Sequence, residues 1–394
     1  MTVPPSVGEL HRIIQDEVDL LAGDLIELSH RIHANPEIGL QEEKASAWCA
    51  AFLRAHGFSV TAPVAGLATA FRATRGSGRP RLAFLAEYDA LPGVGHACGH
   101  NIIGASAVGA GIALAEALGK AGLEATVHVD GTPAEETVGG KIPFVQQGLY
   151  REVDAALSMH PDTRNSVGGT CLAVKGLIFS FHGKAAHAAA EPEKGINALD
   201  AVIQTFNNIN SLRQHVRPDV RIHGIITAGG RASNIVPDFA QADFSVRSAD
   251  LGYFEEVVEK VRRCARAAAL ATGATLEIVE EPTFEPTKDN RTLDRLALEV
   301  LAELGLQAED AAGRCQPAST DFGNVSRVVP AVALSLKAAP AGTVCHHPDF
   351  ARAAVSPEGD ACLLNAAKAM AMIGAHLVLR PTVLKEAWSE FRRV

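Results

Sequence analysis

The sequence predicts an α/β protein: a large domain with a mixed, mostly parallel sheet flanked by helices, interrupted by an inserted ferredoxin-like (βαββαβ) domain. Three observations predict it. Strand-like and helix-like runs alternate through the first 174 residues, the rhythm of helices layered on a largely parallel sheet. From 175 to 285 the order becomes strand, helix, strand, strand, helix, strand. From 286 to 394 the α/β rhythm resumes. The 394 residues therefore divide into 1–174, 175–285 and 286–394, the outer two making one domain, a length that suits two domains.

The elements follow in order. Residues 7 to 33 carry helical spacing, with Leu10, Ile13, Ile14, Val18, Leu21, Leu25 and Leu28 recurring at threes and fours. "EKASAWCAAFLRAHG" is a second helix, with Gly57 as its C-terminal cap. "LATAFRAT" and "RPRLAFLAEYD" are strands around a Gly-rich turn. "NIIGASAVGAGIALAEALGKAG" is a small-residue helix able to pack closely on a sheet, and "EATVHVDGTPAEE" and "DAALSMHPD" are strands. The insert reads "LAVKGLIFSFHG", "INALDAVIQTFNNINSLRQHV", "VRIHGIITAGG", "DFAQADFSVRSA", "GYFEEVVEKVRRCARAAALATG" and "ATLEIVEE". "TLDRLALEVLAELG" is the helix that follows it.

Composition narrows the class. Hydrophobic content is 47%, charged content 21% and net charge -9, an ordinary globular balance. No dense Lys/Arg cluster marks a nucleic-acid partner. The N-terminus lacks the basic start and apolar core of a signal peptide, and no apolar run is expected to span a bilayer. Seven scattered cysteines fit reduced thiols in a cytoplasm. Cys49, Cys171, Cys264 and Cys362 are expected to be small buried residues.

Metal-binding residue types collect at the predicted strand ends of the large domain: Cys98 and His100 in "GHACGHN", Glu135 and Glu136 in "TPAEE", His160 in "SMHP", His346 and His347 in "CHHPDF". Open α/β sheets bind ligands outside the carboxyl ends of their strands. Mixed S, N and O donors suit Zn- or Mn-type ions. Cys98 and His100 are two apart, so an extended backbone would point both side chains the same way, with Gly99 letting the chain pass close to an ion. A carboxylate pair can divide labour, one holding metal and the other serving as general base. The sequence leaves open which glutamate does which. His128, His182, His215, His223 and His376 are expected to be structural.

The segments "LAEYDALPGVGHACGHN", "TPAEET", "SMHPD", "GKAAHAAAEPEKGINALDAV", "ASNIVPDFAQADFSVRS" and "CHHPDF" occur in the order found in a family of two-domain metallopeptidases and amidohydrolases. That family includes aminoacylases, hippurate hydrolases and auxin-conjugate hydrolases. The chain resembles its cysteine-containing branch, and in motif is most similar to aminobenzoyl-glutamate hydrolase and β-alanyl-lysine-type dipeptidases. The resemblance implies that Cys98, His100, Glu136, His160 and His346 (with His347 as fallback) hold one or two divalent metal ions, Zn or Mn. It implies Glu135 as general base, Asp89 as the residue orienting a ligand, and His187 as stabiliser of the oxyanion in a partner subunit's site. Asn234 and Arg247 would hold the substrate carboxylate or its amide. Asn101 and Glu87 stand where many members of the branch have Asp.

The expected activity is metal-dependent hydrolysis of an amide bond in a small N-acyl amino acid, aminobenzoyl-glutamate-like conjugate or dipeptide, by a homodimer joined through the insert. The rivals are hydrolysis of another C–N bond at the same site, such as an aryl amine or amidine-like substrate, and a catalytically silent binding protein.

Overall fold

The computed structural model describes residues 5–393. Contacts divide the chain into two units: one up to Thr170 with Thr287–Arg314 and from Thr320 onward, the other Cys171–Pro286 with Cys315–Ser319. The short piece Cys315–Ser319 falls within the part that the sequence assigns to the larger domain.

Among the described residues twelve α-helices run in chain order: α1 (Val7–Leu20), α2 (Ala22–His33), α3 (Glu43–Ala55), α4 (His100–Ala121), α5 (Lys141–Gln146), α6 (Ala198–Leu212), α7 (Leu251–Thr272), α8 (Arg291–Glu303), α9 (Phe322–Ser326), α10 (Pro348–Ala353), α11 (Pro357–Leu379) and α12 (Pro381–Phe391). The strands are β1 (Ser59–Thr61), β2 (Phe71–Gly76), β3 (Arg81–Ala86), β4 (Thr126–Gly131), β5 (Ala155–Asp162), β6 (Ser166–Val167), β7 (Thr170–Cys171), β8 (Ala173–His182), β9 (Arg221–Ala228), β10 (Phe239–Ser248), β11 (Thr275–Glu280), β12 (Glu309–Asp310), β13 (Cys315–Gln316) and β14 (Ala331–Lys337).

The first unit is built on an eight-stranded sheet in the order β1-β2-β4-β3-β5-β14-β6-β12. Its four middle strands, β4, β3, β5 and β14, are mutually parallel, so their carboxyl ends open on one edge. Antiparallel partners close the outer part, making the sheet mixed. The opening helical run is two helices rather than one, broken at Leu21, with Gly23 weakening the start of the second. Ser6 and Glu9 fix the first by a reciprocal capping box.

Helix α4 is almost wholly buried. Its glycines permit this: a Cβ on Gly111 would lie 2.3 Å from Val129 Cγ2, and one on Gly104 2.7 Å from Glu87 O. Contrary to the sequence expectation, α4 and α11 are each long and apolar enough to cross a bilayer; 89% and 72% of their most apolar windows are buried within the protein. They are core helices of the sheet's cover. Of the four cysteines expected to be buried, Cys49 and Cys362 are, whereas Cys171 and Cys264 are half-buried.

The second unit has the four-stranded order β11-β8-β10-β9 with every pairing antiparallel. Alternation along β10 turns Ala240, Ala242, Phe244 and Val246 into a core with Phe254, Val257 and Val261 of α7 and Ala201 and Val202 of α6. Gln241, Asp243, Ser245 and Arg247 occupy the opposite face, half-buried.

Candidate functional site

The four parallel strands of the first unit each lead into a segment that carries a donor. After β3 come Glu87 and Asp89, and then Cys98 and His100. Glu135 and Glu136 follow β4, His160 lies near the end of β5, and Cys345 and His346 follow β14. The structure brings these together. Cys98 Sγ lies 3.3 Å from His160 Nε2. His100, Glu135 and Glu136 offer atoms within 4.8 Å of one another, as do Cys98, His100 and His160, and Cys98, Cys345 and His346.

The local backbone is built for this convergence. Cys98 and His100 are not joined by extended backbone. Gly99 is left-handed (φ 77°) and caps α4, so the two side chains converge through a tight turn. A Cβ there would sit 2.5 Å from Pro161 Cγ, so the glycine serves the packing of this turn against β5. Ala134 and His346 are also left-handed, at φ 62° and 64°. Each costs about 1–2 kcal/mol for a non-glycine residue, and each sits directly at the donor cluster.

Asp89 is the hub of the second layer. It is 1% exposed, with Oδ1 2.8 Å from His100 Nδ1 and Oδ2 accepting from Glu136 N at 3.0 Å. The first contact puts the His100 proton on Nδ1 and turns Nε2 toward the cluster. That Nε2 is buried without a hydrogen-bond partner, 3.5 Å from Glu87 and 3.8 Å from Glu136. Glu136 Oε1 is likewise buried with no aligned hydrogen bond, although His346 Nε2 is 3.2 Å away. His346 is thus placed at the cluster. His347 instead caps α10, its ring accepting from Asp349 N.

Electrostatics separate the two glutamates. Burial, reinforced by Glu87 and Asp321, pushes the Glu135 carboxyl well above its usual range. Burial also raises Glu136, but the approach of His346 and the charge of His100 outweigh it and hold that carboxyl below its usual value. Burial disfavours a charged His100, yet Asp89 and Glu87 prevail and raise it.

Behind Glu135 lies a group that sequence reading missed. Lys141, fully buried, sits 2.6 Å from Glu87 and 2.5 Å from Asp321, and its backbone N–H donates to the same aspartate. Lys141 and Asp321 are 180 residues apart, and no local pattern links them. Cys345 was missed as well, though it stands inside a motif already singled out. Asn101 is turned away: its amide donates to Ser29 Oγ and Ala354 O.

The donors fit a divalent cation. Thiol, imidazole and carboxylate groups converge, and two buried polar atoms among them, His100 Nε2 and Glu136 Oε1, make no aligned hydrogen bond among the described residues.

The remaining predicted residues belong to the second unit. His187 is exposed, with Nδ1 accepting from Ala189 N and Ala190 N. An isolated antiparallel bridge pairs His187 with Ile235, and next to it Ala188 N donates to Asn234 O at 3.0 Å. Arg247 is half-buried on β10, and its Nη1 donates to Ser319 Oγ at 2.8 Å.

The pattern of the Peptidase family M20/M25/M40 matches residues 83–371. The chain belongs to that family. As a member it is a metal-dependent hydrolase of amide bonds in small substrates. It is 36% identical to mouse (Mus musculus) Xaa-Arg dipeptidase, over 97% of this chain and 92% of the relative. It is 33% identical to one of the polypeptides of p-aminobenzoyl-glutamate hydrolase from Escherichia coli, over 75% of this chain and 66% of that one. A dinuclear metal-binding M20 peptidase from Bacillus subtilis shares the fold, with a TM-score of 0.68, 23% identity and 92% and 99% of the two chains covered.

Proposed function

We propose that this M20 hydrolase splits dipeptides or N-acyl amino acids that carry a free carboxylate, using a centre held by Cys98, His100, Glu136, His160 and His346. The observation that carries this reading is the convergence of those donors, with Glu135 beside them, at the ends of four parallel strands. One or two zinc or manganese ions suit the donor set. Bound there, a divalent cation supplies Lewis acidity, polarising a carbonyl and acidifying water.

The chain's own residues supply the rest. Glu135 takes the proton of the attacking water and returns it to the leaving nitrogen. Its high proton affinity, set by burial and by Glu87 and Asp321, suits a group that must hold a proton between the two steps. Lys141 partners Glu87 and Asp321 and keeps their charge from accumulating beside it. Asp89 holds the His100 ring. His187, from the second unit of a partner copy, donates to the oxyanion of the tetrahedral intermediate. Arg247 grips the substrate carboxylate as a planar two-pronged donor, and Asn234 binds the amide. The homodimer would form through the second unit, where Ile225 and Ile226 of edge strand β9 are 64% and 46% exposed. A cytoplasmic location accords with the free cysteines.

The test is a panel of dipeptides and N-acyl amino acids, run with chelator and with metal add-back, with products identified by mass spectrometry. The expected result is cation-dependent release of an amino acid. The reading fails if only substrates without a carboxylate are cleaved, or if chelation leaves turnover intact.

A further inference from the structure

The cysteine of "CHHPDF" has no part in the hydrolytic scheme, yet its sulfur reaches the centre of the donor cluster. Cys345 Sγ lies 3.5 Å from Cys98 Sγ and 3.6 Å from Ala97 O. Backbone pins the two segments together: His346 N donates to Ala97 O at 2.9 Å. The pinned residues adjoin the two cysteines, so main chain brings the two cysteine side chains together. A disulfide needs its sulfurs about 2.05 Å apart, so forming one requires this contact to close further. Cys345 is an exposed residue whereas Cys98 is buried, so a small oxidant meets Cys345 first.

We propose that Cys345 is an oxidation site paired with Cys98, and that the Cys98–Cys345 disulfide and a bound cation exclude one another. The oxidant is a peroxide. Cys345 sulfur attacks one peroxide oxygen, the O–O bond breaks, and an alcohol or water leaves, giving a sulfenic acid. Cys98 sulfur then displaces water from that sulfenic sulfur. Two thiols and one peroxide thus become one disulfide, one alcohol (or water) and one water, with two electrons passing from sulfur to oxygen. In the disulfide neither sulfur is a thiolate, and His160 loses its sulfur neighbour as a fellow donor. A cation held by Cys98 blocks the reaction in turn. This exclusion rests on the reading of Cys98 as a metal donor; the cross-link itself rests on the sulfur contact.

The experiment treats the full-length protein with hydrogen peroxide after chelator depletion and, in parallel, after zinc loading. Free thiols are counted, and digests made without reduction are mapped by mass spectrometry. Depleted protein should lose two of its seven thiols and give one peptide pair joining Cys98 to Cys345. The zinc-loaded protein should cross-link about tenfold more slowly or less. Dithiothreitol should restore both thiols and zinc uptake. Cys345→Ser should take up zinc and form no cross-link, which separates loss of the pair from loss of the fold. Depleted protein in which both thiols survive, or are oxidised separately, overturns the proposal and leaves the metal reading standing. Cross-linking at the same rate with and without zinc also overturns it, and locates the error in the assignment of Cys98 as a metal donor.

Discussion

His100 in the first unit and His187 in the second are both histidines with a proposed role, and their surroundings could hardly differ more. His100 is 1% exposed, has Asp89 on one nitrogen at 2.8 Å, and has Glu87 and Glu136 facing the other. His187 is exposed, and its ring only accepts from the amides of Ala189 and Ala190, within its own loop. The same contrast in partners separates Glu136, half-buried with His100 and His346 facing its carboxylate, from Arg247, half-buried with a hydroxyl partner. The contrast fits the proposed division of labour: a cluster that uses buried charge to fix each donor would hold an ion, and side chains left with spare hydrogen-bonding capacity would meet substrate.

If that contrast is sound, changes in the first unit alter metal content or chemistry, and changes in the second alter turnover or substrate affinity while metal content stays the same. The largest effect is expected at Glu135. Glu135→Gln should lower kcat by about 10²–10⁴ or more with metal content unchanged by plasma mass spectrometry, whereas Glu136→Gln should lose metal. An exchange of the two phenotypes would reverse their roles. Next is Asp89→Asn, which leaves His100 without its anchoring carboxylate. Metal affinity measured by chelator competition should fall about 10–100-fold; unaltered affinity would reduce Asp89 to a packing role. Arg247→Ala should raise KM about tenfold, the scale of one charge-assisted hydrogen bond, with kcat and metal content little changed. A loss of metal in that variant would erase the contrast.

Much of this contrast was legible in the sequence, because it follows from local rules. Parallel strands end at one edge, so "GHACGHN", "TPAEE", "SMHP" and "CHHPDF" had to gather there once the strands were recognised. The paired antiparallel strands of the second unit were equally plain from alternation, as in β10. What escaped depends on contacts between distant segments. Nothing near Lys141 announces Asp321, and nothing near Cys345 announces that His346 N would bond Ala97 O and carry that thiol to Cys98. The turn at Gly99 is hidden in the sequence because two donors at spacing two look like a strand. The left-handed φ comes from packing against Pro161, which the local sequence does not reveal. Small residues dilute the apolar pattern of α4 and α11 in the sequence, which hides their bilayer length; those residues are there for close packing.

The smallest expected effect is acid sensitivity that differs between the units. Burial lowers His96 to about 3, and His128 and His376 to about 4; all three lie in the first unit. Their folded pKa values are depressed, so below about pH 6.5 the unfolded chain takes up protons that the folded one refuses, and stability falls as pH drops toward 4. In the second unit Arg262, with Lys175, holds Glu280 at about 2, so its contribution persists above its unfolded value and is lost only as pH falls from about 4.5 through 2. Hydrogen exchange between pH 7 and 4.5 should show first-unit amides losing protection before second-unit amides. Simultaneous loss would mean that these histidines do not set the acid limit.

The central claim is that a thiolate from Cys98 joins imidazole and carboxylate groups in holding the cation. X-ray absorption at the zinc edge, on protein depleted and reloaded with zinc, measures it directly. A sulfur shell at about 2.3 Å beside nitrogen and oxygen at about 2.0–2.2 Å, with the sulfur lost in Cys98→Ser, is the result expected. A shell of nitrogen and oxygen alone in the unaltered protein would contradict the account.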